Sequence, residues 1–209
     1  MNIISILVGQ PEIVDFCGRK ITTSIFKKAI TGSVKVNFQN IEGDKQADLR
    51  VHGGNDKAIY AYSLDAYTSW NQFYGKFFQA GSFGENLIIN SFNEKEMGIG
   101  DIYQVGTALL QIVQPRVPCY KLGVRLNDVR AIKSFNKIQR SGIYFRVIQE
   151  GVIESGQELI IIEREKEFVS VQDLFKMTIG SVENELLEKI LKIKSLNIDW
   201  RLKLEEVLK

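Results

Sequence analysis

The sequence predicts a mainly β protein: a closed β-barrel decorated by helices, followed by a small domain of three helices. Short strand-like runs separated by Gly, Asn and Asp fill residues 1–165. Many short strands at modest spacing, with helices confined to the connections, are typical of barrels. A charged run at residues 163–167 precedes a change to helical patterns. The predicted domains are therefore residues 1–165 and residues 166–209.

Alternating apolar and polar residues locate the elements of the first domain. Strands are predicted at residues 3–8, 33–38, 57–62, 86–89, 101–105, 108–113, 142–148 and 158–162. A helix is predicted from Leu64 to Phe73, with Ser63 as its N-cap and Gly75 as its end. A second, basic helix is predicted over residues 127–140.

Helical apolar stripes characterise the second domain. Ser170-Val171-Gln172-Asp173 has the form of a capping box that opens the first of three helices. The stripes of the next two helices are Val182, Leu186, Leu187, Ile190 and Leu191, then Trp200, Leu204, Val207 and Leu208. Such faces suit packing on the barrel, packing together, or a homodimer.

Composition excludes several classes of function. The chain has 27 Lys and Arg against 25 Asp and Glu, a balance that gives no indication of nucleic-acid binding. No run reaches the roughly 18 apolar residues of a membrane span, and the start has no secretion-signal pattern. Cys17 and Cys119 lie too far apart to suggest a disulfide framework. We therefore expect a cytoplasmic protein with two free thiols and no membrane partner.

Cys119 has the strongest local chemistry of any residue in the chain. It lies in the segment QPRVPCYK, residues 114–121, directly after an apolar strand-like run. Prolines restrict the backbone on both sides of Arg116. Arg116 and Lys121 are nearby cations, which favour a thiolate over a thiol. On these residues alone, a buried cysteine that acts as a small hydrophobic residue remains the alternative.

His52 is the one histidine of the chain and limits its acid–base and metal chemistry. No C-x-x-C or H-E-x-x-H spacing supports a protein-only zinc site, although a Cys–His dyad between Cys119 and His52 is possible. Gly53 and Gly54 can present N–H groups to an anion, and Lys57 can add positive charge. A tight turn, with His52 making a structural hydrogen bond, is the alternative.

Two further polar stretches are candidate ligand sites. In residues 81–86, GSFGEN, Gly84 permits an unusual backbone conformation and Asn86 offers an amide. In residues 142–146, GIYFR, Tyr144 and Arg146 share one face of a predicted strand. Arg146 is either an anion ligand or a charge at the rim of the barrel.

Taken together, these stretches resemble the MOSC domain, a family named for the C-terminal domain of molybdenum-cofactor sulfurases, and more closely its bacterial stand-alone YiiM-like branch. The motifs that carry the resemblance, in family order, are GDKQAD at 43–48, VHGGNDKA at 51–58, GSFGENL at 81–87, QPRVPCYK at 114–121 and GIYFRV at 142–147. The helical tail resembles the three-helix domain of that branch.

The resemblance implies a β-barrel that binds a molybdenum–pterin cofactor, with Cys119 as the protein ligand to the metal. A soft thiolate suits that metal. His52 would supply a proton near it. The residues implied to bind the cofactor are Arg116, Lys57, Gly53, Gly54, Asn86 and Arg146.

Relatives in this family reduce N-hydroxylated compounds such as 6-N-hydroxylaminopurine, so the resemblance implies a detoxifying oxidoreductase with a redox protein as electron donor. Two alternatives stay open. A carrier could hold the cofactor, or sulfur as a persulfide on Cys119, without turnover. A thiol phosphatase is suggested by the spacing from Cys119 to Arg125, although the bulky residues between them disfavour a phosphate-wrapping loop.

Overall fold

The computed structural model of the chain describes residues 1–48, 53–180 and 184–207. The strands are β1 (Ile3–Val8), β2 (Glu12–Phe16), β3 (Arg19–Thr23), β4 (Lys28–Ile30), β5 (Val34–Asn37), β6 (Asn40–Ile41), β7 (Ile59–Ser63), β8 (Leu87–Ile89), β9 (Ile102–Val105), β10 (Ala108–Pro115), β11 (Ile143–Gln149), β12 (Gly151–Ile153) and β13 (Leu159–Glu163). The α-helices are α1 (Leu64–Tyr74), α2 (Tyr120–Leu126), α3 (Ala131–Ile138), α4 (Val171–Lys176), α5 (Asn184–Lys192) and α6 (Ile198–Val207).

A large sheet organises these elements. Its eight strands follow the order β13-β9-β10-β11-β7-β8-β1-β4. Neighbouring strands are antiparallel, except that β7 and β8 are parallel and are connected through α1. A three-stranded sheet of β12, β5 and β6 and a hairpin of β2 and β3 complete the pairing. The fold is thus mixed α/β with a dominant sheet.

The strand ladder does not close into the barrel that the sequence predicted. Within the described residues, β4 and β13 are the edges of the large sheet. One isolated bridge, between Asn2 and Glu158, joins the start of β1 to the start of β13, and the Leu159 N–H donates to the Met1 carbonyl at 2.7 Å. The reason is that β4 pairs with β1 from Ile6 onward, so only the first residues of β1 can meet β13.

Local sequence signals account for the first helix. The Ser63 hydroxyl accepts a hydrogen bond from the Ala66 N–H at 3.1 Å, and Gly75 ends α1 in the left-handed conformation at φ 62°. Both predictions are confirmed. The basic helix predicted over residues 127–140 is shorter, because Asn127, at φ 50°, ends a preceding helix that the sequence did not reveal.

The three helices after residue 165 pack on the large sheet. Leu187 of α5 and Trp200 of α6 belong to the same buried cluster as Ile112 of β10 and Phe145 of β11. A second buried cluster, rich in aromatic residues, lies under α1 and α3. The domain boundary at residue 165 stays a prediction. None of the described helices is long and apolar enough to cross a membrane.

Candidate functional site

A cleft with a cavity of about 90 Å³ lies between the end of β10, strand β7 and the segment that follows β3. Its lining carries the thiol of Cys119 and the rings of Tyr60 and Tyr144. It also carries five basic side chains, those of Lys27, Lys45, Lys57, Arg116 and Lys121. The lining thus combines one soft sulfur with an excess of positive charge.

Cys119 lies between the end of β10 and the start of α2, in an extended conformation with φ −115° and ψ 171°. Its side chain is partly exposed. The ionised thiol would interact electrostatically with Arg116 and Tyr144. Burial is the main cause that raises the pKa of Tyr144, and Arg116 partly offsets it. Cys119 therefore faces a fixed cation and a neutral phenol.

Arg116 is held rigidly beside the cysteine. Its residue is 6% exposed, and its guanidinium donates a hydrogen bond to the Phe83 carbonyl. The guanidinium carbon lies 4.8 Å from the centre of the Tyr60 ring, a cation–π distance. Because an arginine stays charged at any physiological pH, Arg116 supplies permanent positive charge near Cys119.

Lys27 and Asp44 form a buried ion pair in the cleft wall that the sequence did not reveal. The Lys27 Nζ lies 2.5 Å from both carboxylate oxygens of Asp44. Asp44 also accepts hydrogen bonds from the Gly9 N–H at 2.7 Å and from Asn86 Nδ2 at 2.9 Å. Burial lowers the pKa of Lys27, and attraction to Asp44 partly opposes that shift.

Asn86 lines the cleft as expected, but its amide is engaged within the protein. Its Nδ2 donates to Asp44 and to the Leu7 carbonyl, at 2.9 and 3.3 Å. Its Oδ1 accepts from the Tyr60 N–H at 3.2 Å. These contacts hold β1, β7 and the Asp44 loop together, so Asn86 builds the wall of the cleft.

The glycine-rich stretch contributes through Lys57. Gly54, at φ 93°, precedes a short 3-10 turn at Asn55–Lys57 that brings Lys57 to the lining. Neither Gly53 nor Gly54 is part of the lining. The predicted catalytic residue His52 lies outside the described residues.

Arg146 does not line the cleft, in contrast to the sequence-based expectation. Its Nε lies 2.5 Å from Asp56 Oδ1, and Asn197 Nδ2 donates to the other Asp56 oxygen at 2.7 Å. Tyr144, two residues earlier on β11, reaches the cleft instead. Together with Asp56, Arg146 connects β11 to residues 195–197, directly before α6.

Arg125 does not join Cys119 in a phosphate-binding loop. Its Nε donates to the Gly81 carbonyl at 3.0 Å, and its guanidinium carbon lies 5.2 Å from the centre of the Phe26 ring. The residues between Cys119 and Arg125 form α2 rather than a loop that wraps an anion. This geometry disfavours the thiol phosphatase.

The metal-ligating and charged side chains of the cleft fit an anionic cofactor that itself supplies most of the ligands to its metal. Within residues 1–48, 53–180 and 184–207, no three His, Cys, Asp or Glu side chains converge on one point. Among the described residues of the cleft, one carboxylate, that of Asp44, faces five bases and is paired with Lys27. A metal beside Cys119 would therefore need further ligands and negative charge from the molecule that carries it. A molybdenum–pterin cofactor has both properties.

The segment at residues 24–27, which supplies Ser24 and Lys27 to the cleft, was not predicted from the sequence. One signal for it was present in the stretch at residues 81–86. A Cβ on Gly81 would lie 2.7 Å from the Lys27 carbonyl, and a Cβ on Gly84 would lie 2.6 Å from Ile25 Cγ1. The two glycines mark a close approach, but their spacing does not identify the segment that approaches.

The fold and the cleft together define a class of protein. Its members have a large sheet and a positively charged site with one cysteine, and such a site suits an anionic cofactor that carries a metal. The sequence profile of the MOSC domain matches residues 48–160, more than half of the chain. The chain belongs to the MOSC domain family, which confirms the resemblance found in its motifs.

Three similar proteins place the chain within the family. The uncharacterized protein YflK of Bacillus subtilis is 33% identical over 201 residues, which cover 96% of this chain and 91% of that one. The crystal structure of YiiM from Geobacillus stearothermophilus has a TM-score of 0.84 and 34% identity, covering 100% and 99% of the two chains. A protein of Gibberella moniliformis named "Reductase" is 34% identical over 151 residues, which cover 70% of this chain but 27% of that protein. The chain is therefore a YiiM-like MOSC protein.

Proposed function

We propose that this protein is a molybdenum-cofactor-dependent oxidoreductase that reduces N-hydroxylated compounds, such as 6-N-hydroxylaminopurine, to amines. The observation that carries the proposal is the convergence of the Cys119 thiol with five basic side chains in one cleft. The name of the Gibberella relative, "Reductase", supports reductive chemistry. Cys119 serves as the protein ligand to the metal.

The residues of the cleft have separate roles in this reaction. Arg116 places a fixed positive charge beside Cys119, because its guanidinium is held nearby and shielded from water. Lys57 and Arg116 bind the anionic cofactor, which supplies two-electron chemistry when bound. Tyr60 and Tyr144, whose rings lie 5.1 Å apart, form an aromatic wall against which a flat purine can pack.

The overall reaction requires protons as well as electrons: R–NHOH, two electrons and two protons give R–NH₂ and water. Lys27 can hold one proton at its Nζ in the cleft, and its lowered pKa makes it a better acid than an ordinary lysine. His52 is the other proton source in the proposal.

The test is turnover by protein purified from a host that makes the cofactor. Reduction of 6-N-hydroxylaminopurine is followed with a reduced dye as electron donor. We expect Cys119→Ser to abolish turnover, because the metal loses its protein ligand. Cys17→Ser is the matched control, since Cys17 is exposed and outside the cleft, and it should react at the wild-type rate. Equal rates in both variants would remove Cys119 from the mechanism.

A carrier that holds the cofactor, or a persulfide on Cys119, is the second candidate. The partial exposure of Cys119 favours it, because a transfer partner needs access to the sulfur. Bound molybdenum without any Cys119-dependent reduction would identify the carrier.

Turnover in the cell needs a partner that supplies the two electrons. We propose an electron-donor redox protein as this partner, with a small N-hydroxylated substrate, a cytoplasmic location and neither nucleic acid nor membrane as a partner. We also propose a homodimer, which sedimentation of the purified protein measures directly.

A further inference from the structure

A second cavity lies between the end of α1 and helix α3, on the surface of the protein. It is an open groove of about 630 Å³. Its described lining carries three basic side chains, those of Arg130, Lys133 and Lys137. The carboxylate in this described lining, that of Asp128, accepts hydrogen bonds from the backbone N–H and the Nε of Arg130, at 2.9 and 3.2 Å. The groove therefore presents an excess of positive charge to the solvent.

Exposed apolar side chains accompany these charges. Phe73 lines the groove and is 44% exposed, and the Lys137 Nζ lies 5.3 Å from the centre of its ring. Phe77 and Val129, which are close to lining residues in the sequence, are 80% and 73% exposed. Apolar side chains exposed beside charged ones are typical of surfaces that bind other proteins. We call the lining of this cavity the basic groove.

Buried rings connect the basic groove to the cleft. Tyr74, which lines the groove, stacks on Trp70 with 5.6 Å between the ring centres. The Trp70 ring lies 6.1 Å from that of Phe135, which in turn lies 6.0 Å from the guanidinium carbon of Arg116. Arg116 lines the cleft together with Cys119. The two sites are thus connected through packed rings, and such closeness favours electron transfer, whose rate falls steeply with distance.

We propose that the basic groove is the docking site of the electron donor, and that this donor is a redox protein with an acidic surface. The inference rests on the proposed function for the need of a donor. Carboxylates of the donor pair with Arg130, Lys133 and Lys137, and an apolar group of the donor covers Phe73. Electron-transfer encounters have small interfaces, and opposite charges raise their association rate. A groove with a few exposed cations and one aromatic ring suits such an encounter.

The donor completes the electron balance of the reaction. Each R–NHOH takes up two electrons and two protons and gives R–NH₂ and water. Flavodoxin, a small acidic flavoprotein, serves as the probe of the groove. Two molecules of reduced flavodoxin each give up one electron for every substrate molecule, and the two protons come from the solvent.

The first experiment measures flavodoxin binding by calorimetry, with the full chain from a host that cannot make the molybdenum cofactor. We expect Lys133→Glu combined with Lys137→Glu to weaken binding about thirtyfold, because like charges then face each other. The matched control combines Lys192→Glu with Lys203→Glu, which change the net charge equally at exposed positions on α5 and α6. Its affinity should stay within about twofold of wild type, since steering by distant charges is screened by salt.

Equal affinities in the two double variants would overturn the inference, as would a wild-type protein that does not bind flavodoxin. Raising the salt from about 0.02 M to about 0.2 M should weaken wild-type binding about tenfold, because salt screens exposed charges. Wild-type binding that does not respond to salt would also contradict an electrostatic docking site.

A second variant and urea unfolding separate docking from damage to the fold. Phe73→Ala should weaken flavodoxin binding about fivefold, because it removes the apolar part of the groove. The charge-reversal variant should unfold at the urea midpoint of wild type, because both lysines are exposed. Weaker binding only in variants with a lower midpoint would overturn the inference. So would a labelled single-stranded DNA that binds wild type more tightly than flavodoxin does and is lost in the same variants.

The last experiment compares two electron donors, with protein from a cofactor-competent host. Combined Lys133→Glu and Lys137→Glu should raise the KM for reduced flavodoxin at least about tenfold and leave turnover with a small reduced dye at the wild-type rate. Equal effects on both donors would overturn the inference. A wild-type protein that shows no turnover with the dye would instead contradict the proposed function, and calorimetry then decides on the docking site by itself.

Discussion

Trp200 donates its indole N–H to the side-chain oxygen of Gln114 over 3.1 Å, which joins the last helix to the strand that leads into Cys119. The Gln114 amide in turn donates to the Asp56 carbonyl at 2.8 Å. Asn197, at the start of the same helix, binds the Asp56 carboxylate. The C-terminal helices thereby fix both segments, residues 114–119 and 55–57, that bring Cys119 and Lys57 to the cleft.

Removing the indole donor should therefore loosen the site. Trp200→Phe keeps an aromatic ring in the core but leaves the buried oxygen of Gln114 without that donor. We expect the free energy of unfolding to fall by about 1–3 kcal/mol, measured by urea denaturation. Cofactor retention should fall with it, because Gln114 lies two residues before Arg116.

A control on the same helix separates this effect from general damage to the helix. Leu202 is 54% exposed, so Leu202→Ala should change the free energy of unfolding by less than about 0.5 kcal/mol. Equal losses of unfolding free energy in both variants would show that the hydrogen bond between Trp200 and Gln114 does not contribute specifically to stability.

The close packing at Gly84 gives a second prediction. Gly84→Ala introduces a methyl group at φ +71°, 2.6 Å from Ile25 Cγ1. The left-handed backbone alone costs about 1–2 kcal/mol, and the overpacking adds about 1–3 kcal/mol. Gly18 has nearly the same φ, +73°, but nothing within 4 Å of its Cβ position. Gly18→Ala should therefore show only the backbone part, and urea denaturation that gives equal losses would contradict the packing argument.

Buried tyrosines predict a loss of stability at alkaline pH. Burial raises the pKa of Tyr103 from 10.0 to about 12 and raises those of Tyr60 and Tyr144 as well. The unfolded chain ionises near pH 10 while these folded phenols stay protonated, so the unfolded state releases protons first. The contribution of these tyrosines to the free energy of unfolding should then be constant well below pH 10 and fall as the pH rises from 10 toward 12.

Phenylalanine variants identify which tyrosines cause that decline. Tyr103→Phe should make it shallower, since the hydroxyl of Tyr103 donates a hydrogen bond only to the Met97 sulfur among the described residues, at 3.7 Å. Tyr120 is 56% exposed, so Tyr120→Phe should follow the wild-type curve. A stability that does not change between pH 8 and roughly pH 11 would contradict the assignment, since tyrosines titrate around pH 10.

The elements that the sequence predicted well are those with local signals. Ser63 and Gly75 mark the start and the end of α1, because helix capping depends on residues only a few positions apart. Short apolar runs revealed β1, β9 and β10. In contrast, the hairpin of β2 and β3 has mostly exposed residues, so its apolar pattern was too weak to detect.

The site was only partly predictable for a related reason. Cys119 and Arg116 are close in sequence, and the segment that holds them is recognisable as a motif. Lys27 and Asp44 meet across 17 residues, and no spacing rule connects them. The place of Arg146 outside the cleft was not predictable, because its partner, Asp56, lies 90 residues away. A sequence reveals that such a charge exists but not which of several carboxylates it meets.

The central claim is that Cys119 binds the metal of a molybdenum cofactor in the cationic cleft. The most direct test is the molybdenum content and metal–sulfur coordination of the protein purified from a cofactor-competent host, compared with Cys119→Ser and Cys17→Ser. We predict bound molybdenum in wild type and Cys17→Ser, and in Cys119→Ser either no metal or metal with one sulfur ligand fewer. Equal molybdenum content and equal sulfur coordination in all three proteins would contradict the claim.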